Sequence, residues 1–139
     1  MYSKETLESI INKIADPIFV KDRQHRWALL NDACCKYIGH SREELIGKSD
    51  YEFFPKAEAD VFWEKDEAVF KTGVENLNEE SFTDGAGAVR TIVTKKSLFV
   101  DDQKKAYIVG IFRDITSLKQ AHATMVQQAS ELAKSEAER

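Results

Sequence analysis

The chain has 139 residues, of which 42% are hydrophobic and 32% are charged, and its formal net charge is −4. This composition is typical of one folded domain and excludes an intrinsically disordered chain. The acidic balance argues against nucleic-acid binding, which normally uses a basic face. No apolar run is long enough to span a membrane, and the N-terminus lacks a signal-peptide pattern. The only cysteines, Cys34 and Cys35, suit a reducing compartment, so the sequence predicts a cytoplasmic protein without membrane insertion.

The first predicted element is an amphipathic helix over residues 4–15. Its apolar residues share one helical stripe: Leu7, Ile10, Ile11 and Ile14. Asp16-Pro17 ends the helix, because a residue before proline avoids the helical conformation. A large apolar patch on so short a segment usually marks a contact, so we expect this helix to form a homodimer. The alternative, which the sequence leaves equally open, is that the helix packs on the sheet of its own chain.

A β-hairpin and short helices follow. The predicted strands are "IFVKD" (18–22) and "RWALLN" (26–31), joined by a polar turn. A helix over residues 33–38 is capped by Asn31 or Asp32 and ended by Gly39. "SREELIG" (41–47) has its serine and second glutamate at capping-box spacing, which predicts one or two further helical turns.

Residues 56–72 form the strongest internal helix of the prediction, and Gly73 stands where a C-terminal cap belongs. One face carries the apolar residues Ala59, Phe62, Trp63, Val69 and Phe70. Asp66 interrupts that face, and a buried carboxylate needs a partner because burying it alone is costly. The candidate partners on the facing strands are Lys95, Lys96 and Arg113. An ion pair between helix and sheet is the simpler interpretation, and a ligand-binding role is the alternative.

Three longer strands are predicted over residues 75–83, 88–100 and 106–116, separated by turn-forming sequences. The order is therefore two strands, a group of helices and three strands. Such segregation predicts an α+β fold, in which a five-stranded antiparallel sheet carries short helices on one face.

A polar helix ends the chain, over residues 117–139. Apolar residues recur every seven positions at Leu118, Met125 and Leu132, as in the seam of a coiled coil. His122 and Glu136 weaken that seam. A helix this polar is marginal on its own in water, so we expect a partner chain or further sequence to complete it.

The order of these elements and several motifs resemble a PAS domain. The matching strings are "DPIFVKD" (16–22), "LLNDACCKYIG" (29–39), "SREELIGKSDYEFFP" (41–55), "VFKTG" (69–73) and "GIFRDIT" (110–116). Each string is weak alone, but their common order is specific, and the resemblance covers roughly residues 5–116. It divides the chain into an N-terminal helix (1–15), a PAS domain (16–116) and a C-terminal linker helix (117–139).

In this family the Asp-Ile-Thr segment marks the junction between the sensory sheet and an output helix. The resemblance therefore implies a signal junction made of Gly110, Asp114, Ile115 and Thr116. Asp114 and Thr116 are residue types that accept hydrogen bonds from the free N–H groups at a helix start. Gly110 is expected to let a neighbouring side chain approach its strand closely.

PAS domains share a fold and differ in cofactor, so each cofactor must be argued from its own residues. Haem-binding members place a histidine on the long helix, and residues 56–72 contain none. Light-sensing flavin members carry a cysteine where this chain has "SDYEFFP" (49–55). Cys34 and Cys35 lie on an earlier helix, where we expect buried structural thiols. No cofactor is predicted and the resemblance argues against haem, while a non-covalently bound flavin stays open.

A small-molecule cavity between the helices and the sheet is the remaining candidate site. Its predicted lining residues are Phe19, Leu30, Ile38, Leu45, Phe53, Phe54, Phe62, Asp66, Val69, Ile92, Thr94 and Phe112. The alternative is a solid aromatic core. No catalytic or metal site is predicted, because His25, His40 and His122 lack suitably spaced partners.

The resemblance implies a sensory module that forms a homodimer and is covalently linked to an output domain, for which a histidine kinase is the leading candidate. An input domain of a diguanylate cyclase or transcription regulator would use the same design. The alternative from another class is a structural dimerisation spacer that binds no ligand. A ligand that binds only the folded state would distinguish the two by raising the melting temperature.

Overall fold

The computed structural model describes residues 2–138, which form one five-stranded antiparallel sheet with helices around it. The strands are β1 (Ile18–Lys21), β2 (Trp27–Leu30), β3 (Asn76–Thr83), β4 (Val89–Val100) and β5 (Ala106–Asp114). The helices are α1 (Lys4–Ile11), α2 (Asp32–Ile38), α3 (Arg42–Leu45), α4 (Lys56–Thr72) and α5 (Thr116–Ala137), with a 3₁₀ turn at Asp50–Glu52. The predicted α+β fold is confirmed. No helix among the described residues is both long and apolar enough to cross a bilayer.

The strand that leads into α5 lies in the middle of the sheet. The strand order is β2-β1-β5-β4-β3, so β5 pairs with β1 on one side and with β4 on the other. Both pairings are antiparallel, and the β4–β5 pairing continues to the last residue of β5. A strand bonded on both edges cannot shift without moving its neighbours, so the exit from the sheet is firmly held.

Gly110 is required by the packing of β1 on β5. It pairs with Phe19 in the strand register, and the Phe19 ring lies across its backbone. A Cβ at this position would collide with that ring. The expected close approach of a side chain is therefore present, and the side chain is Phe19.

The N-terminal helix is shorter than the sequence predicted, because α1 ends at Ile11 and not at residue 15. The amide nitrogen of Asn31 lies 3.0 Å from the carbonyl oxygen of Ile11 and 3.2 Å from that of Ile14. This buried amide draws the chain out of the helix one turn before Asp16-Pro17. Ile14 therefore lies outside α1, and the apolar stripe is shorter than expected.

The other helix ends follow local rules that the sequence displays. The Asn31 side chain caps α2 by accepting from the N–H of Cys34 at 3.0 Å. Ser41 and Glu44 form the predicted capping box. Gly73 ends α4 with a φ of 70°, a left-handed conformation that glycine adopts without strain. α5 begins at Thr116, one residue before the predicted start.

Candidate functional site

An internal cavity of about 30 Å³ lies between α2, α4 and the inner face of the sheet. The predicted residues that line it are Phe19, Ile38, Phe54, Phe62, Ile92, Thr94 and Phe112. Leu30, Leu45 and Val69 are buried in the surrounding core, and Phe53 is half-buried against that core. These four residues and Asp66 were also predicted to line the cavity, but they are not among the described residues on its wall.

Sequence reasoning missed half of the cavity wall, namely Lys21, Trp27, Cys34, Asp50, Glu80, Phe82 and Lys96. Several of these could have been found from the two-residue period of a strand. Lys21 lies two positions from Phe19, and Lys96 lies two positions from Thr94, so each pair faces the same side of the sheet. The charged side chains were overlooked because lysine and glutamate are rarely buried.

The charged side chains of the wall are Lys21, Asp50, Glu80 and Lys96. Together with Asp66, which lies behind the wall, they form a buried ionic cluster. The Lys21 ammonium lies 2.6 Å from Asp50 Oδ2 and 2.8 Å from Asp66 Oδ2. The Lys96 ammonium lies 3.2 Å from Asp66 Oδ1 and 3.1 Å from Glu80 Oε2. Each ammonium thus bridges two carboxylates, and Asp66 joins the two halves of the cluster.

The pKa of Asp66 is lowered because its two lysine partners outweigh its burial. Burial alone would raise the pKa of Asp66, but the charges of Lys21 and Lys96 hold that pKa well below its usual range. Of the three predicted partners, Lys96 contacts Asp66, and Lys21 was not foreseen. The other two candidates do not contact Asp66, since Lys95 pairs with Glu75 and Arg113 with Asp16 on the outer side of the sheet.

His25 extends the buried ionic cluster toward the surface. It is buried in the β1–β2 turn, where its ring stacks on Trp63 with the ring centroids 3.6 Å apart. Its Nε2 lies 2.6 Å from Glu67 Oε1, and its Nδ1 lies 3.7 Å from Asp66 Oδ2. These carboxylates were not foreseen as partners of His25, because α4 brings residues distant in sequence against the turn. Among the described residues, no cluster of His, Cys, Asp or Glu side chains could hold a metal ion.

The two cysteines are held as unreactive thiols. Cys34 is buried on the cavity wall, and burial raises its pKa well above the usual range of a thiol. Cys35 is half-buried, and desolvation also raises its pKa. A thiolate is the reactive form, so neither environment favours nucleophilic chemistry.

The predicted signal junction is organised by Asp114, the last residue of β5. Its Oδ1 accepts from the backbone N–H of Thr116 at 2.8 Å, which satisfies a free donor at the start of α5. Its Oδ2 accepts from the Tyr37 hydroxyl at 2.8 Å and from Arg90 Nε at 2.7 Å. Partial burial opposes ionisation of Asp114, but these hydrogen bonds hold its pKa well below the usual range.

Thr116 does not cap α5 in the manner that the sequence suggested. The capping position is Ile115, and Thr116 is the first helical residue. The Thr116 hydroxyl accepts from the backbone N–H of Thr91 at 2.8 Å, and the Ile115 N–H donates to the Thr91 carbonyl at 2.8 Å. These two bonds join the start of α5 to β4, so the junction is a joint between two strands and the helix.

The two terminal helices present apolar side chains to solvent. On α1, Leu7 is 45% exposed and Ile10 is 48% exposed, while Ile11 is half-buried. On α5, Leu118, Met125 and Leu132 are each more than 60% exposed. No residue of α1 or α5, both of which lie within the described part of the chain, is buried.

Comparison with known proteins identifies the family to which the chain belongs. The family model described as "PAS fold" matches residues 11–120. The chain belongs to the PAS-fold family. A segment of the uncharacterized protein y4lL of Sinorhizobium fredii is 40% identical over 121 residues, which cover 85% of this chain and 15% of that protein.

Two further relatives carry the names of signalling enzymes. The methanogenesis regulatory histidine kinase FilI of Methanothrix harundinacea is 29% identical over 91% of this chain, which spans 14% of that kinase. A diguanylate cyclase of Vibrio cholerae is 25% identical over 88% of this chain, which spans 39% of the cyclase. The chain thus covers only a minor part of each of these curated relatives.

Solved structures agree on the fold. The PAS domain of a two-component sensor histidine kinase superposes with a TM-score of 0.66 at 15% identity, covering 79% of this chain and 94% of that one. The VqmA–ligand–DNA complex of Vibrio cholerae gives a TM-score of 0.72 at 24% identity, covering 95% of this chain and 60% of that one. At these identities the likeness establishes the fold alone.

Proposed function

We propose that this PAS domain senses a small molecule in the internal cavity and passes the signal through the junction and α5 to a covalently linked output domain. The observation that carries this proposal is a hydrogen-bonding group on the cavity wall that has no partner in the protein. The Thr94 hydroxyl is buried and has no hydrogen-bond partner among residues 2–138. A buried polar group is normally paired, so a bound molecule or a water has to satisfy it.

The size of the cavity makes binding and conformational change inseparable in this proposal. About 30 Å³ is the space of roughly one water molecule, whereas small-molecule sites usually enclose ≈ 300–1,000 Å³. A ligand of several heavy atoms therefore enters only if the aromatic walls move apart. Such movement supplies a signal, because packed cores switch between discrete arrangements and do not deform continuously.

A histidine kinase is the proposed output, since FilI carries a segment similar to this chain. The diguanylate cyclase relative supports a cyclase as the alternative. A transcription regulator is a further alternative, because VqmA is a structural neighbour seen in complex with ligand and DNA. In each case the chain itself is proposed to be non-catalytic and cytoplasmic, and it does not itself contact nucleic acid.

The proposed ligand is neither haem nor a photoreactive flavin, because α4 has no histidine and residues 49–55 have no cysteine. The purified protein should therefore be colourless. An absorption band in the visible range that co-purifies with the protein and survives dialysis would contradict this part of the proposal, and a flavin spectrum would identify the non-covalent alternative.

A homodimer is proposed through the exposed apolar stripes of α1 and α5. Ile10→Glu together with Ile11→Glu should give folded monomers in sedimentation velocity, whereas Ser9→Glu on the exposed part of the same helix should remain dimeric. Unfolding of the double variant would instead indicate that α1 packs within its own chain.

The test of sensing is a search for a ligand by native mass spectrometry and by thermal shift. A molecule that binds only the folded state at one hundred times its Kd stabilises it by about 2.7 kcal/mol, which is easily detected. Thr94→Val, which removes the free hydroxyl at nearly constant volume, should weaken that stabilisation, while Thr6→Val on exposed α1 should not. If no molecule binds and the protein is recovered at its bare mass, the chain is a dimerisation spacer.

A further inference from the structure

Tyr37 lies between the internal cavity and the signal junction. It belongs to α2, and its ring packs edge to face against Phe82 and Phe112, with centroid distances of 5.0 and 5.3 Å. Both phenylalanines line the cavity. The far end of the Tyr37 ring carries the hydroxyl that donates to Asp114 Oδ2. One rigid side chain therefore touches the cavity wall with its ring and the junction with its hydroxyl.

Asp114 continues this connection to the helix. The carboxylate oxygen that does not receive the Tyr37 hydroxyl accepts from the N–H of Thr116, the first residue of α5. If the Asp114 carboxylate rotates when Tyr37 moves, its hydrogen bond from the Thr116 N–H changes as well, because hydrogen bonds weaken steeply with misalignment. Only two hydrogen bonds and one aromatic contact separate the cavity wall from the helix.

The other partners of the junction hold it in place without reaching the cavity. Arg90 is on β4 with a partly exposed side chain, and its contacts are with Asp84 and Asp114. The Thr116 hydroxyl is bonded to the backbone of Thr91, which keeps the start of α5 attached to β4. Neither Arg90 nor Thr91 lines the cavity. Both residues are held in the sheet, since Arg90 pairs in register with Phe82 and Thr91 with Ser81 on β3.

We propose that Tyr37 is the positioning residue that couples the packing of the cavity wall to the first turn of α5, acting through Asp114. This inference rests on the proposed function, in which the cavity is the input and α5 is the output. A ligand that displaces Phe82 or Phe112 moves the Tyr37 ring, because aromatic rings are rigid and closely packed. The Tyr37 hydroxyl then shifts away from Asp114 Oδ2. Arg90 remains as the side chain that holds this carboxylate oxygen.

Tyr37→Phe is the decisive variant, since it removes the hydroxyl and keeps the ring. Amide hydrogen exchange of the 139-residue chain, resolved by NMR, should show the Thr116 amide exchanging roughly 10-fold faster, the effect of weakening one hydrogen bond to a charged acceptor. Tyr51→Phe is the matched control, because the Tyr51 hydroxyl also donates to a carboxylate, Asp60, but far from α5. It should leave the Thr116 amide unchanged. An unchanged Thr116 amide in Tyr37→Phe would overturn the proposal.

A second experiment separates coupling from a merely structural hydrogen bond. Phe82→Leu alters the cavity wall where it meets Tyr37, and should change exchange at residues 115–119 in the wild-type background. In the Tyr37→Phe background the same substitution should have less than half of that effect. Equal effects in both backgrounds would refute the coupling role, and Phe82→Met replaces Phe82→Leu if the latter fails to fold. Because this cycle uses no ligand, it can succeed even if the search for a ligand fails, so the two proposals fail separately.

Discussion

Asp66 in the interior and Asp114 at the exit of the sheet are both carboxylates whose pKa is lowered, but they are embedded in different ways. The side chain of Asp66 is 0% exposed and its charged partners, Lys21 and Lys96, are equally buried. The side chain of Asp114 is 20% exposed, and it is shared among a phenol, a guanidinium and a backbone N–H. Asp66 is held by ion pairs in the buried interior, whereas Asp114 is held by several hydrogen bonds close to solvent.

This difference separates stability from signalling. Removing either lysine of the buried ionic cluster leaves a carboxylate, Asp50 or Glu80, without its cation, which costs about 3–5 kcal/mol. In a partly exposed hydrogen-bond network, water can replace one lost partner, so the loss of one bond costs about 1 kcal/mol. That smaller value lies within the ≈ 1–3 kcal/mol of typical coupling between sites. The interior is therefore suited to holding the fold, and the exit is suited to switching.

The largest expected effect is that of Asp66→Ala. Lys21 keeps Asp50 and Lys96 keeps Glu80, so no buried charge is left unpaired. The free energy of unfolding should fall by about 2–3 kcal/mol in urea denaturation, the cost of losing buried hydrogen bonding to a charged group. Lys56→Ala is the control, because it breaks an exposed pair with Asp60 and should cost less than about 1 kcal/mol. Similar losses in the two variants would remove the distinction between interior and surface charges.

A smaller effect is expected in acid, where the outer end of the buried ionic cluster titrates. Hydrogen bonds from Arg23 and His25 lower the pKa of Glu67 to about 2, from about 4.3 in an unfolded chain. A lowered folded-state pKa adds stability above the unfolded pKa, and this stability is lost as the pH falls through the folded pKa. The stability difference between wild type and Glu67→Gln should be constant above pH ~5 and shrink toward pH ~2.

That difference should be on the order of 1 kcal/mol, because Glu67 is partly exposed and its pairs are screened by solvent. Urea midpoints measured in steps of pH provide the test. Glu64→Gln changes an exposed glutamate of the same helix and should follow the wild type at every pH. A difference that stays constant down to pH ~2 would mean that Glu67 does not stabilise through its charge.

Asp114→Ala should cost only about 1 kcal/mol, the usual cost of losing a helix cap, and leave the core folded. Signalling should nevertheless change when the chain is fused to a histidine kinase, because α5 loses its link to Tyr37 and Arg90. Kinase autophosphorylation and thermal stability are measured on the same fusion, with Asp102→Ala in an exposed turn as the control. Unchanged kinase activity would defeat the junction role, whereas outright unfolding would show that Asp114 serves the fold.

The sequence predicted the fold well wherever short-range rules decide the outcome. The end of α4 at Gly73 and the capping box at Ser41 depend on neighbours within a turn, and both are present. The early end of α1 was missed because it depends on Asn31, twenty residues away in sequence from Ile11. The partnership of Lys21 with Asp66 spans 45 residues, and no local pattern reports it.

The candidate site also contains residues that local patterns predicted and residues that they did not. The aromatic part of the cavity wall follows from strand periodicity and apolar residue type, so Phe19, Ile92 and Phe112 were found. The contact of Tyr37 with Asp114 could not be predicted, because the two residues are 77 positions apart in sequence. The resemblance gave the Asp-Ile-Thr junction, but the sequence could not show that Thr116 bonds to β4 instead of capping the helix.

The smallest effect on stability is expected from an insertion in α5, which has no buried residue along its described length of 22 residues. One alanine inserted after Leu118 should change the free energy of unfolding by less than about 0.5 kcal/mol, because it disturbs no core contact. It rotates the following apolar seam by about 100°, so a kinase fused in heptad phase should change its activity sharply. A seven-residue insertion nearly restores the phase and should preserve regulation. Kinase activity that responds equally to both insertions would make α5 a flexible tether, and the sheet and its exit would then differ in stability without any consequence for signalling.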